Sequence, residues 1–179
     1  MMRIVYAWIA GLGMLALAVP ASAEHIYCSF VATKQGKFQG DHGLNGDSTQ
    51  IPVMSFMQEL TSPYDPASGL ITGKRQHSPI SITKSIDRSS PLFFAAAATN
   101  ETLTSVTCTL YRDADRGGAS IPYFKIVLTR AAIVDVKDMG DGASGDARGA
   151  DRERISFVYQ KIELTDVESG SVATDDWSL

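Results

Sequence analysis

Ser81-Ile82-Thr83-Lys84 is the stretch whose residue types and spacing come nearest to covalent chemistry. It matches S-x-x-K, in which a serine nucleophile forms an acyl-enzyme beside a lysine. That chemistry needs both side chains one helical turn apart on the same side. Residues 80–86 alternate instead as a strand, with Ile80, Ile82 and Ile86 on one face and Ser81, Thr83 and Ser85 on the other. Residues three apart on a strand point to opposite faces, and the companion S-D-N and K-T-G motifs are absent. Metal chemistry fares no better. His25, His42 and His77 lack ligand spacing, and Asp141, Asp146 and Asp151 lack the D-x-[DN]-x-[DN]-G order and closing Glu of a calcium loop. With no phosphate loop, cofactor motif or nucleophile–base pair, the sequence argues against an enzyme and predicts no catalytic residue, no cofactor and no metal.

Two features remain chemically informative. Lys84 shares the apolar face of its strand, which calls for a partner carboxylate or a turn toward a polar channel. Cys28 and Cys108 also lie on apolar strand faces. They are either inert buried thiols or, in an oxidising compartment, a disulfide across the core. The bond would close a loop of about 80 residues and contribute up to ~4 kcal/mol in the chain-entropy model.

The chain has 179 residues and a net charge of −4, with lysines and arginines spread along its length. One domain fits that length, and no basic field exists to hold nucleic acid by counterion release. The segment Met1–Ala23 has one early cation, Arg3, an apolar run from Ile4 to Val19, and Ala21-Ser22-Ala23. It reads as a secretory signal peptide cleaved between Ala23 and Glu24, leaving residues 24–179 as one domain with no stable membrane insertion. An uncleaved anchor is the poorer reading, because Pro20 ends a run marginal for about 30 Å of hydrocarbon. The predicted destination is the periplasm or the exterior.

The elements follow from period and punctuation. Strands are predicted over His25–Thr33, Ile51–Leu60, Pro79–Ile86, Thr102–Arg112, Ile121–Lys137 with a bulge near Ala131 and Ala132, and Arg154–Thr165. The second and last carry apolar residues on both faces and so predict a second cover, such as another subunit. Ser90 followed by Pro91 predicts a helix from Pro91 to about Asn100, apolar nearly all round and covered on more than one side. Lys34–Thr49 reads as an exposed Gly-rich loop unable to build core, and Asp113–Ser120 as a hairpin turn. Thr61–Gln76 reads as a long loop with a use, and Asp138–Arg152 as a mobile Gly- and Asp-rich loop. Six or seven strands and one short helix predict a mainly β protein of packed antiparallel sheets, a barrel or a sandwich.

The order and spacing of four blocks resemble the Hcp (haemolysin-coregulated protein) tube subunits of type VI secretion systems. The blocks are FQGD at Phe38–Asp41, GKRQHSPISITKSIDRSSPLF at Gly73–Phe93, YFKIVLTRAAI at Tyr123–Ile133 and ERISFVYQKIEL at Glu153–Leu164. The resemblance implies a β-barrel of two packed sheets with one helix at its side, assembling as a homo-hexameric ring with a wide channel. It also implies stacking of rings into a tube, with a spike protein, a contractile sheath and effector proteins as partners. By position the family's extended loop falls on Pro63, Tyr64, Asp65, Pro66, Leu70, Lys74 and Arg75, the candidate contact between stacked rings. Tubes of the family assemble in the cytoplasm, which sets them against the exported route that Met1–Ala23 predicts. A monomeric exported barrel that binds a partner through its loops is the competing reading.

Overall fold

The computed structural model describes residues 24–114, 119–140 and 151–177. The expected signal peptide through Ala23, residues 115–118 of the expected hairpin turn, and Asp141 and Asp146 of the Gly- and Asp-rich loop lie outside the described residues.

The strands in chain order are β1 (Glu24–Ala32), β2 (Gly36–Lys37), β3 (Ile51–Val53), β4 (Ser55–Met57), β5 (Leu60–Thr61), β6 (Gln76–His77), β7 (Ile80–Ser85), β8 (Leu103–Arg112), β9 (Ile121–Met139), β10 (Arg152–Val158), β11 (Lys161–Asp166) and β12 (Val172–Asp176). The helix α1 (Ser90–Ala98) lies between β7 and β8. All pairings are antiparallel. One sheet runs β12-β11-β9-β8-β1-β3, with β2 on the far end of β1, and the other runs β9-β10-β7-β4. β9 belongs to both. β3 and β4 are separated only by Met54, whose N–H donates to the Thr83 carbonyl at 2.8 Å. The ladder therefore returns on itself as a barrel, and β11–β12 leaves it as a side wing.

The corners explain the two-faced strands. Along β9 the buried positions are Ile126 and Leu128, then Ala131 and Ile133, so the phase changes at Arg130, which takes φ 52°. The phase change predicted near Ala131 is therefore real, and a bulge follows opposite Ser156 and Phe157. The single strand expected over Arg154–Thr165 is two, broken at Tyr159-Gln160. Ile155 and Phe157 point inward before the break and Ile162 after it. Two one-sided strands of opposite phase had mimicked one strand buried on both faces. Ile51–Leu60 likewise divides into β3, β4 and β5. Ile51 and Val53 are buried, while Met54, Met57 and Leu60 are exposed.

Four further expectations are corrected. Ser89, not Ser90, is the N-cap of α1, and Pro91 sits in the first turn, where its missing N–H costs nothing. Only Phe93 and Ala96 of the helix are buried, whereas Phe94 is 65% exposed, so in this protomer the helix is covered on one face. Ile86 lies beyond the end of β7 and is exposed. Finally, Phe38 belongs to the core, although its Gly-rich surroundings predicted loop. It packs edge-on to Phe93 at 5.0 Å, and Phe93 meets Phe30 at 4.8 Å. Full burial of such a ring contributes roughly 1.5–3 kcal/mol, which makes Phe93 the principal anchor of α1 on the barrel.

Candidate assembly surfaces and their anchors

Lys84 is the last inward position of β7, and 1% of its side chain is exposed. Nothing apolar can neutralise its charge, so the chain brings acids to it. Lys84 Nζ donates to Glu153 Oε1 at 2.6 Å, to Asp87 Oδ1 at 2.8 Å and to the Ser85 carbonyl at 2.7 Å, and it lies 5.7 Å from the Phe93 ring centroid. Glu153, the second residue of β10, lies directly opposite Lys84. Ser90 Oγ donates to the same Glu153 oxygen, and Ser89 donates to Asp87 through both N–H and hydroxyl. The backbone of Asp41 reaches the other Asp87 oxygen at 3.3 Å. Burial opposes the charge on Asp87, but the bonds from Lys84 and Ser89 outweigh it and hold this carboxyl below its ordinary value. The result is a buried charged centre that ties β7, β10, α1 and the 38–41 segment together. Ser81, on the opposite face, bonds Ser156 Oγ at 2.9 Å, so the structure does not bring Ser81 and Lys84 into a catalytic pair.

A second junction lies where the hairpin arm meets the wing. His77 places Nε2 at 2.9 Å from Asp175 Oδ2 and Nδ1 at 3.0 Å from the Tyr159 hydroxyl, and its ring stands 4.3 Å from that of Trp177. With Nε2–H donated to the carboxylate, Nδ1 accepts from Tyr159. Arg75 forks onto both oxygens of Asp175. Those Arg75 bonds, with help from His77 and against burial, hold the Asp175 carboxyl well below its usual range. Burial and the nearby Asp175 charge push the Tyr159 hydroxyl up. Asp175 lies on β12 and Trp177 just beyond it, in a stretch for which the sequence predicts no element. The polar residues Thr174 and Asp175 on the short β12 gave no hydrophobic period to find.

The expected loop Thr61–Gln76 is a built hairpin arm. β5 pairs with β6, and Tyr64 bridges Ile71 further out. Asp65 caps its tip by accepting from Ala67 N–H at 3.0 Å and Ser68 Oγ at 2.6 Å, and Gly69 takes the φ of 70° that closes the turn. Of the candidate contact residues, Tyr64 and Leu70 are exposed at 62% and 68%, and Pro66 and Lys74 are also exposed. Pro63 and Asp65 are half-buried, and Arg75 is engaged with Asp175 at the base. Ile71, which sequence reasoning did not single out, is 65% exposed beside Tyr64.

Cys28 and Cys108 are disulfide-bonded, with Cα atoms 4.0 Å apart. They are directly opposed on adjacent strands of one sheet, rather than across the core. Among the described residues no cluster of three His, Cys, Asp or Glu side chains is arranged to hold a metal ion, and no helix is long and apolar enough to cross a membrane.

A protein-family model described as "Type VI secretion system effector, Hcp" matches residues 30–165. The chain belongs to the Hcp family. The "Major exported protein" of Pseudomonas aeruginosa is 37% identical over 172 residues, covering 90% of this chain and 96% of its own. Among solved structures, the secreted protein Hcp3 from Pseudomonas aeruginosa is 32% identical with a TM-score of 0.70, covering 87% of this chain and 99% of its own. A crystal structure of an Hcp protein gives 25% identity and a TM-score of 0.78, with coverage of 87% and 98%. As an Hcp protein, this chain is a secretion-system protein and not an enzyme. Three of the four blocks that carried the resemblance meet at the buried charged centre, which supplies Asp41 from the first, Lys84 to Ser90 from the second and Glu153 from the last.

Proposed function

We propose that this Hcp protein is the structural subunit of a type VI secretion tube. It assembles as a hexameric ring that stacks and carries effector proteins in its channel. The observation that supports this reading best is the hairpin arm. A closed barrel with its own hydrophobic core still holds Leu60, Tyr64, Leu70 and Ile71 in the open on a frame fixed at both base and tip. Ordering apolar side chains in water is unfavourable unless another surface covers them. A head-to-tail contact that closes makes a ring, and a projecting arm on each protomer suits contact between rings. By family resemblance the tube's further partners are the spike protein and the contractile sheath.

The test is the native mass of the protein from Glu24 onward, by light scattering with negative-stain images of the peak. The expected result is six protomers in ring-shaped particles, with Tyr64→Ser/Ile71→Ser retaining rings but losing stacks. A monomer at micromolar concentration overturns the ring. The export expected from Met1–Ala23, together with a disulfide, favours the second reading, an exported monomer that binds a partner. Its place would be the groove of about 390 Å³ lined by Leu60, Arg75, His77, Leu164 and Ala173.

A further inference from the structure

We propose that Cys28 and Cys108 are a modification site for a protein dithiol oxidase of the export compartment. They are oxidised after export and before the barrel closes. The oxidation rests on the export expected from Met1–Ala23 and not on the ring reading above.

The two cysteines face each other in the β1–β8 register, so the bond needs no backbone movement once those strands pair. Access is the difficulty. Cys28 is 0% and Cys108 5% exposed, and neither sits on an edge. Ile51 of β3 lies across from Cys28 on its other side, and Ile126 of β9 across from Cys108. Thiol–disulfide exchange needs a thiolate to meet a disulfide sulfur directly, and the closed barrel leaves no path for an oxidase to either sulfur. Oxidation therefore belongs to the stage before β3 and β9 cover the pair. The cytoplasm is the wrong place for that stage, because its thiol pool keeps such pairs reduced. The step balances. The Cys28 thiolate attacks the oxidase disulfide and displaces one oxidase thiolate, and the Cys108 thiolate then attacks Cys28 Sγ and displaces the second. The oxidase leaves as a dithiol carrying two electrons, and the two protons of the cysteines pass to solvent or to the departing thiolates.

The test uses the full chain from Met1, made in a Gram-negative host with and without its periplasmic dithiol oxidase. Cells are quenched in acid, and the denatured chain is alkylated with a thiol-reactive mass tag and weighed. Exported chains are expected to carry no tag and cytoplasmic chains two, with the exported chain carrying two tags and falling several-fold in amount when the oxidase is absent. Two free thiols in the normally exported chain overturn the proposal. So does equal oxidation without the oxidase, or a chain that never leaves the cytoplasm. A second measurement needs no host. The protein folded as a dithiol should react with oxidised glutathione at least ~100-fold more slowly than the same chain in urea, and equal rates would remove the argument from burial. Light scattering on the same fractions reports rings separately, so a monomer with a complete disulfide sinks the ring reading and leaves the oxidation standing.

Discussion

The charged centre under α1 and the junction at the base of the arm use the same chemistry to opposite effect. In each, a cation holds carboxylates and ties together segments far apart in the chain. At the centre, 1% of the Lys84 side chain and none of Glu153 is exposed. At the junction, Arg75 and Asp175 are 56% and 19% exposed. The buried set specifies the barrel, because losing one member strands the others in a low-dielectric interior. The surface set orients an arm that water can solvate if the bonds break. Burial, rather than bond count, decides which of the two the fold depends on.

The largest effect is expected at the centre. Lys84→Met should lower stability by roughly 3–5 kcal/mol in urea unfolding, since it leaves Glu153 and Asp87 without their cation. Pairing it with Glu153→Leu should recover most of that loss, because a buried ion pair removed as a unit is close to neutral. If the double variant is as unstable as the single, the centre matters for packing and the contrast fails.

Acid sharpens the contrast next. The folded Asp87 carboxyl lies below its ordinary 3.8, so the stability it contributes is complete above that value and is lost as pH falls through the lower folded one. Stability should therefore be level near neutrality and fall below about pH 4. Asp87→Asn should reduce stability at pH 7 and flatten that acid limb. Asp175 shifts in the same direction, but Asp175→Asn should alter the limb less because water remains available to the carboxylate.

A smaller effect separates arm from barrel. Asp175→Ala should speed proteolysis between residues 61 and 76, while hydrogen exchange at β1 and β8 stays as it was. Equal change in both regions would mean that the arm is part of the barrel's cooperative unit. Smallest is Arg75→Ala, whose loss in thermal stability should be minor and should vanish in added salt, as an exposed pair requires.

The sequence was most legible where a single rule acts. Alternation placed β1, β7 and β8 within a residue or two, and Ser-Pro placed the start of α1. Lys84 on an apolar face called for a partner carboxylate or a turn toward a polar channel, and only the structure supplies Glu153 and Asp87. The sequence misled where two elements share one run. Arg154–Thr165 and Ile51–Leu60 showed apolar residues at both parities because the chain turns a corner, and a corner carries no composition of its own. Phe38 was lost among glycines, since one aromatic has no period. The His77–Tyr159–Trp177–Asp175 junction joins residues up to 100 positions apart when Arg75 is counted, and only the fold brings them together.

The shared strand β9 gives the barrel a mechanical property. Nineteen residues, Ile121–Met139, are bonded to β8 and β11 in one sheet and to β10 in the other, so the two sheets have no seam between them along that strand. A force that pulls the walls apart cannot peel one sheet away and leave the other whole, since each path of rupture runs through the same strand. Stretched in a single-molecule trap, the domain should yield in one abrupt event rather than two, the behaviour of a hoop rather than a hinge.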